Sequence, residues 1–305
     1  MNTQKIGIAI VAPSGQTLDD AALARGIDAL VAQGHTVHNY FDPAKAFQRF
    51  GGTDAARLAQ LNAAADDPQV DVVMALRGQY GMSRLLPVID FERMAASGKI
   101  FVGYSDFTAF QMALLAKTGA ISYAGPMFLP DFAAPQLQAF TINDFFQCLT
   151  SATHRIRQAA GGNPILNVHG SVWGGNLAMV NSLLGTDYFP QIDGGILFLE
   201  DVNEHPYRIE RMLLQLMHSG VLARQQAIIL GDFSDYQITQ ADNGYDFAAM
   251  LAYLRATLPC PVLTGLQFGH CATRVTIPFG ARGDLVSDGA HFELCLSGYP
   301  HLARA

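Results

Sequence analysis

The stretch IFVGYSDFTAFQMALLAK, residues 100–117, decides the fold class. Its first residues are apolar and aromatic, as in a buried strand, and the residues from Asp106 to Lys117 have the composition of a helix. The strand and the helix meet at Ser105 without a long loop between them. Buried strands that alternate with helices are typical of a parallel sheet covered by helices on both faces.

The residues before this stretch show the same alternation. Strands are predicted at IGIAIVA (6–12), HTVHNY (35–40) and VDVVMAL (70–76), and helices at 18–33 and 55–66. We therefore predict an α/β N-terminal domain over residues 1–150, with a doubly wound, mostly parallel sheet. The apolar run of about seven residues near the N-terminus has one Lys before it, which is marginal for a signal peptide, and a first buried strand at 6–12 explains it better.

The second half of the chain has a different pattern. Residues 151–169 begin SATHRIRQAAGGNP, with polar residues, Gly and Pro and little periodicity, and predict a linker. Strands follow at GILFLED (195–201) and QAIILGDF (226–233), with a helix between them at 209–219. Residues 170–305 are thus predicted to form a smaller, mixed α/β C-terminal domain.

Composition excludes several classes of function. The chain has 305 residues, half of them hydrophobic, and a net charge of −7. It has no run of Lys and Arg, so we expect no nucleic-acid partner and no anionic membrane partner. No apolar run approaches the roughly 20 residues of a membrane-spanning helix. The four cysteines lack the spacing of a zinc or redox motif, which predicts buried free thiols in a cytoplasmic protein.

Three short segments carry candidate catalytic residues. Ser105 lies where a strand meets a helix, so it could be a nucleophile beside backbone N–H groups, or simply a helix N-cap. Glu200 ends a buried strand in the sequence FLEDVNEHPYRI (198–209), which could also be a solvated helix start. His270 follows a glycine in a loop and could take a proton from a serine. None of these segments is decisive alone.

Two other segments are candidates for cofactor-binding loops but lack the motifs of such loops. RGQYGMSRLLP (77–87) is glycine-rich and follows a strand, but no Gly-Lys-Ser/Thr follows, so it is not a phosphate loop. APSG (12–15) is not a dinucleotide fingerprint. His35 and His38 lack further ligands nearby in sequence. We expect no nucleotide, no other cofactor and no metal.

Together these segments resemble the LD-carboxypeptidase family of serine peptidases, which includes muramoyltetrapeptide carboxypeptidase and the microcin C immunity protein. The matching motifs run almost end to end: RGQYGMSRLLPVIDF (77–91), GYSDFTAF (103–110), GSVWGGNLAMVNSLLGT (170–186), FLEDVNEHPYRIERML (198–213) and PVLTGLQFGHCATRVTIPFGA (261–281). One departure is Gln79, where the family usually has a second glycine after the arginine.

The resemblance implies a role for each candidate residue. Ser105 would be the nucleophile, His270 the general base and Glu200 the carboxylate that orients it. The backbone N–H groups of Gly78 and Asp106 would form the oxyanion hole. The site would lie between the two domains of a cytoplasmic homodimer that needs no metal.

The family's usual substrate is a murein tetrapeptide, from which the enzyme releases the terminal D-alanine in cell-wall recycling. Glu204 and Arg208 are candidates for polar substrate contacts, or else a helix-capping acid and an exposed basic residue. Three alternatives remain: a microcin C immunity-type peptidase, a non-catalytic α/β protein that binds a peptide or sugar, and a class I amidotransferase. The last needs a cysteine where Ser105 stands.

Overall fold

The computed structural model describes residues 5–302, and the opening residues 1–4 and the last residues 303–305 lie outside that range. It has thirteen described strands: β1 Gly7–Val11, β2 Thr36–Asn39, β3 Val72–Ala75, β4 Ile100–Gly103, β5 Ser122–Ala124, β6 Thr153–Ala159, β7 Leu166–Asn176, β8 Gly195–Val202, β9 Gln225–Ser234, β10 Val262–Thr264, β11 Ile277–Phe279, β12 Arg282–Ser287 and β13 His291–Ser297.

Between residues 5 and 302, eight α-helices connect these strands: α1 Asp20–Ala32, α2 Asp54–Asp66, α3 Phe91–Ala96, α4 Thr108–Thr118, α5 Ala139–Leu149, α6 Leu177–Ser182, α7 Pro206–His218 and α8 Phe247–Thr257. Several begin at a polar residue whose side chain accepts a hydrogen bond from the first turn, as Asp19 does for α1 and Thr53 for α2. Such caps satisfy N–H groups that have no acceptor within the helix.

The first sheet has the strand order β11-β5-β4-β3-β1-β2. Its members are parallel except for β11, which pairs antiparallel with β5 at one edge. The strands β1, β3 and β4 are buried throughout, which explains their continuous apolar sequences. The strand β2 lies on one side of β1, and β3, β4 and β5 follow in order on the other side. The segments after β1, β3 and β4 share the carboxyl edge of the sheet. Ligand sites in such sheets collect at this edge.

The second sheet has the order β10-β9-β8-β7-β12-β13-β6. The strands β7 to β10 are parallel, and β7, β12, β13 and β6 pair antiparallel. The predicted fold class, a doubly wound mostly parallel sheet with a mixed α/β unit after it, is confirmed. The exact domain limits, 1–150 and 170–305, stay a prediction.

The segment predicted as a linker, residues 151–169, needs a correction. It contains the whole of β6 and the start of β7, so it is part of the second sheet rather than an irregular connection. The fully buried side chains of β6 are His154 and Ile156. Because only one of the two is apolar, the alternation of a half-buried strand was not visible in the sequence.

The cysteine prediction holds in part. All four cysteines are free, and Cys148 and Cys260 are buried, as expected. Cys271 and Cys295 are half-buried instead. Cys271 lies beside His270, where the loop runs near the surface.

Candidate active site

Ser105 lies directly after β4 and begins a turn of 3-10 helix, Ser105–Phe107, that continues into α4. Its φ is 61°, in the left-handed region that residues other than glycine rarely adopt. A strained residue at a strand-to-helix turn is the arrangement that lifts a nucleophilic serine above the edge of a sheet. The side chain is half-buried and faces the second half of the chain.

The structure brings Ser105, His270 and Glu200 together in one line of contacts. His270 Nε2 lies 3.2 Å from Ser105 Oγ, and His270 Nδ1 lies 2.7 Å from Glu200 Oε2. A carboxylate can only accept, so the imidazole carries its proton on Nδ1 and turns the lone pair of Nε2 toward the serine. Residues 165 positions apart in the chain thereby meet within hydrogen-bonding distance.

Glu200 is fully buried at the end of β8. Asn176, at the end of the neighbouring strand β7, donates from Nδ2 to Glu200 Oε1 at 3.2 Å. A buried carboxylate needs such partners to remain charged. Burial by itself would lower the pKa of His270, but the hydrogen bond to Glu200 and the negative charge of that residue outweigh burial and raise the pKa above its usual value.

Gly269 explains why His270 can reach Glu200. Its φ is 129°, and a Cβ atom added there would lie 2.9 Å from Glu200 Cβ. Only glycine accommodates both the backbone conformation and the contact. His270 lies in a segment without strand or helix, residues 265–276, which we call the histidine loop.

The predicted oxyanion-hole residues also lie beside Ser105. A Cβ atom on Gly78 would lie 2.6 Å from Ser105 Oγ, so the backbone of Gly78 contacts the serine as closely as glycine permits. Asp106 is the second residue of the helical turn, where N–H groups lack an acceptor within the helix. Their N–H groups would stabilise negative charge if they point toward the reacting carbonyl, and the assignment of Gly78 and Asp106 as the oxyanion hole stays a prediction. Gln79 takes φ 69°, the region a glycine would occupy, so its departure from the family motif leaves Gly78 in contact with Ser105.

The carboxylate of Asp106 has a separate function in the structure. Its Oδ2 accepts from Ser14 Oγ at 2.6 Å and from Met82 N at 2.7 Å. Burial raises the pKa of this carboxyl, although both hydrogen bonds act in the opposite direction. Asp106 thus joins the segments after β1 and β3 to the nucleophile turn, a function that the sequence did not reveal.

Glu204 and Arg208 lie close together, with Arg208 Nε 2.6 Å from Glu204 Oε2. The side chain of Glu204 is 19% exposed and that of Arg208 is 49% exposed. The two charges compensate each other. Glu204 lies four residues after Glu200 and just before α7, and Arg208 lies in the first turn of α7. Their contact with a substrate stays a prediction.

Sequence reasoning missed three residues around the site. Asn176 bonds the carboxylates of both Glu200 and Asp201. Arg77, half-buried next to Gly78, donates to Gln16 O at 3.3 Å and has no carboxylate within ion-pair distance among residues 5–302. Arg274, itself a residue of the histidine loop, has a buried side chain that donates to the carbonyl of Gly269. All three lie within the motif segments 77–91, 170–186 and 261–281, which was the available signal.

Within residues 5–302, no group of three or more His, Cys, Asp and Glu side chains is arranged to hold a metal ion. In the same range, no helix is long and apolar enough to cross a bilayer.

Comparisons with known proteins match almost the whole chain. Residues 8–125 match the family model described as the LD-carboxypeptidase N-terminal domain, and residues 169–285 match the LD-carboxypeptidase C-terminal domain. The crystal structure of muramoyltetrapeptide carboxypeptidase from Oxalobacter formigenes is 49% identical, with a TM-score of 0.93 over 96% of this chain and 99% of that chain.

Two curated relatives extend the comparison. A putative carboxypeptidase of Streptomyces coelicolor is 35% identical over 92% of this chain and 90% of its own length. The microcin C7 self-immunity protein of Escherichia coli is 29% identical over 76% of this chain and 75% of its own length.

Proposed function

We propose that this chain, which belongs to the LD-carboxypeptidase family, is a serine L,D-carboxypeptidase that releases the terminal D-alanine of murein tetrapeptides. The observation that carries the proposal is the position of His270, 2.7 Å from a buried carboxylate and 3.2 Å from the hydroxyl of Ser105. That order of carboxylate, imidazole and hydroxyl is the arrangement of a serine peptidase triad.

The reaction would begin with attack of Ser105 Oγ on the carbonyl between the diamino acid and D-alanine. His270 Nε2 takes the serine proton as the new C–O bond forms, and Glu200 stabilises the imidazolium. The carbonyl electron pair moves onto oxygen, where the N–H groups of Gly78 and Asp106 donate to it. When the pair returns, the C–N bond breaks and His270 passes its proton to the amine of D-alanine. A water molecule then hydrolyses the acyl-enzyme by the same route.

The murein substrate is supported by the likeness to the muramoyltetrapeptide carboxypeptidase of Oxalobacter formigenes, at 49% identity and a TM-score of 0.93 over 96% of this chain. A cytoplasmic location, a function in cell-wall recycling and a homodimer complete the proposal. They rest on family resemblance.

The second candidate is a microcin C immunity-type peptidase, favoured by the relative from Escherichia coli. Trp173, the only tryptophan of the chain, is fully buried and donates from Nε1 to Gln225 Oε1 at 2.9 Å. It is therefore engaged in the second sheet and cannot stack on a nucleobase without unfolding its surroundings. This observation favours the murein substrate.

A murein peptide presents a terminal carboxylate next to the scissile bond. Arg208 is neutralised by Glu204, whereas Arg77 adjoins the oxyanion-hole residue Gly78 and lacks an acidic partner in the described range. We therefore favour Arg77 over Arg208 as the cation that receives this carboxylate. The same ion pair compensates the charge of Glu204, so a contact between Glu204 and an amine of the substrate would require that pair to open.

Two measurements test the proposal. Mass spectrometry of products from a panel of murein peptides and an acyl-sulfamoyl-adenylate should show a tripeptide and D-alanine from the tetrapeptide; exclusive cleavage of the adenylate would favour the immunity class. A fluorophosphonate should label Ser105 in the wild type and leave Ser105→Ala unlabelled. A protein that binds the tetrapeptide but yields no product from any member of the panel would be the non-catalytic α/β protein.

A further inference from the structure

We propose that Arg274 is a positioning residue that fixes His270 against Ser105 across the boundary between the two sheets. The inference rests on the proposed function, because it concerns the same triad. Arg274 does not itself face the reacting atoms: its side chain is 4% exposed and lies beneath the histidine loop. Its contacts on two sides of the site carry the argument.

On one side, the guanidinium binds the main chain on both flanks of His270. Nε donates to the carbonyl of Gly269 at 3.0 Å, and Nη2 donates to the carbonyl of Cys271 at 2.6 Å. These carbonyls belong to the residues directly before and after the catalytic base. Backbone hydrogen bonds hold the histidine loop on either side, as from Val275 N to Gln267 O at 2.9 Å and from Asp232 N to Phe268 O at 2.8 Å. At Gly269 and Cys271 the guanidinium supplies the donors that a regular strand or helix would otherwise supply.

On the other side, the same guanidinium contacts the part of the chain that carries the nucleophile. Nη1 forms an ion pair with Asp131, whose other oxygen accepts from Met127 N at 2.9 Å. The guanidinium carbon also lies over the ring of Tyr104, 4.5 Å from its centroid. Tyr104 immediately precedes Ser105 and contacts the ring of His270 edge-on, at 5.1 Å between centroids.

One side chain therefore links the base, the nucleophile turn and the segment after β5. Arginine suits this position because its planar group donates in several fixed directions at once and can also stack on an aromatic ring. Lysine would keep the charge but could not hold both carbonyls, the carboxylate and the ring together. Burial lowers the pKa of Arg274, yet an arginine remains protonated at neutral pH.

The kinetic test compares Arg274→Lys with wild type for D-alanine release. A displacement of a catalytic group by about 1 Å costs about 10²-fold. We expect kcat to fall by about that factor with KM within about twofold, because Arg274 does not touch the substrate. Guanidinium added to Arg274→Ala should restore part of kcat. Arg255→Lys is the control, since Arg255 also donates to a main-chain carbonyl and a side-chain oxygen, those of Val262 and Asn163, away from the triad.

A second readout does not depend on the substrate. The Nδ1 proton of His270, shared with Glu200, should give a downfield NMR resonance in the wild type that is shifted or broadened in Arg274→Lys and unchanged in Arg255→Lys. A folded Arg274→Lys protein with wild-type kcat and an unchanged resonance would overturn the proposal. If wild type cleaves no peptide but the resonance responds to Arg274→Lys, the positioning inference stands and the proposed function fails.

Discussion

Ser105 Oγ and His270 Nε2 lie 3.2 Å apart, but different contacts hold the two residues in place. Ser105 stands between the end of β4 and the start of a helix, and its neighbours Gly78 and Gly103 make room for main-chain and ring contacts. His270 lies in the histidine loop, where hydrogen bonds from Arg274 and the carboxylate of Glu200 hold it. Ser105, the proposed nucleophile, thus lies in a turn between two regular elements that the Asp106 carboxylate also ties to neighbouring segments, whereas His270, the proposed base, is held mainly by side-chain hydrogen bonds.

The difference predicts two kinds of sensitivity. Changes beside Ser105 should act through steric contact with the main chain. Changes beside His270 should act through charge and hydrogen bonding. Substitutions beside either residue should slow the same proton transfer from Ser105 to His270. The rate of D-alanine release therefore measures the effect of both kinds of substitution.

The largest effect is expected for Ser105→Ala. Removal of the hydroxyl leaves the turn intact but removes the atom that forms the acyl-enzyme. Turnover should fall by about 10³ to 10⁶-fold, as in other triads. The measurement is kcat on the tetrapeptide, with circular dichroism to show that the fold is retained. Near-normal turnover in a pure sample would remove Ser105 from the mechanism.

Glu200→Gln should have the next largest effect, on the side of the base. The amide keeps the size of the side chain but loses the charge that stabilises the imidazolium, so kcat should fall by about 10³ to 10⁴-fold with little change in KM. Glu204→Gln is the matched control four residues away, where the carboxylate is partly exposed and paired with Arg208. A greater loss for Glu204→Gln would mean that the wrong carboxylate has been assigned.

Gly78→Ala tests the steric side of the comparison. The added methyl group would lie 2.6 Å from Ser105 Oγ and 2.8 Å from Ser105 Cβ, so the serine or the loop must move. Displacing one oxyanion-hole donor should lower kcat by about 10² to 10³-fold. Gly161→Ala is the control, because a Cβ atom there meets nothing within 4 Å. Equal activity of the two variants would exclude Gly78 from the oxyanion hole.

The smallest predicted effect is a displacement of the pH profile. His270 must be neutral to take the proton, and the nearby carboxylates raise its pKa. A raised pKa keeps the imidazole protonated to higher pH, so the acid limb of kcat/KM should lie above the usual histidine pKa of about 6.5. A limb at or below that value would show that burial, which lowers the pKa of His270, outweighs the stabilisation by Glu200 in the free enzyme.

Much of the first sheet could be predicted from sequence, because strands buried on both faces have continuous apolar sequences. The predicted strands at 6–12, 70–76 and 100–105 correspond to β1, β3 and β4. The strand β6 was missed because His154 takes one of its inward positions. The helix α5 was also missed, since its sequence AFTINDFFQCL is rich in residues with low helix propensity.

Ser105 could be predicted from local sequence, whereas Glu200 and His270 could not. The motif around Ser105 is local, so sequence alone suggested a nucleophile turn. The assignment of Glu200 and His270 needed the family resemblance, because their meeting with Ser105 depends on how the two sheets pack. The pair Arg274 and Asp131 joins residues 143 positions apart, and nothing in the local sequence of either indicates the other.

The most direct test of L,D-carboxypeptidase activity is the release of free D-alanine from two murein peptides at equal concentration. In the proposed mechanism the tetrapeptide with one terminal D-alanine would place the scissile carbonyl next to Gly78 and Asp106, and the terminal carboxylate within the site. A pentapeptide ending in D-alanyl-D-alanine would have to place there the carbonyl of a residue whose α-carbon has the D configuration, leaving buried polar groups unpaired at about 1–3 kcal/mol each. We predict rapid release from the tetrapeptide and slow release from the pentapeptide. Faster release from the pentapeptide would contradict the L,D-carboxypeptidase assignment.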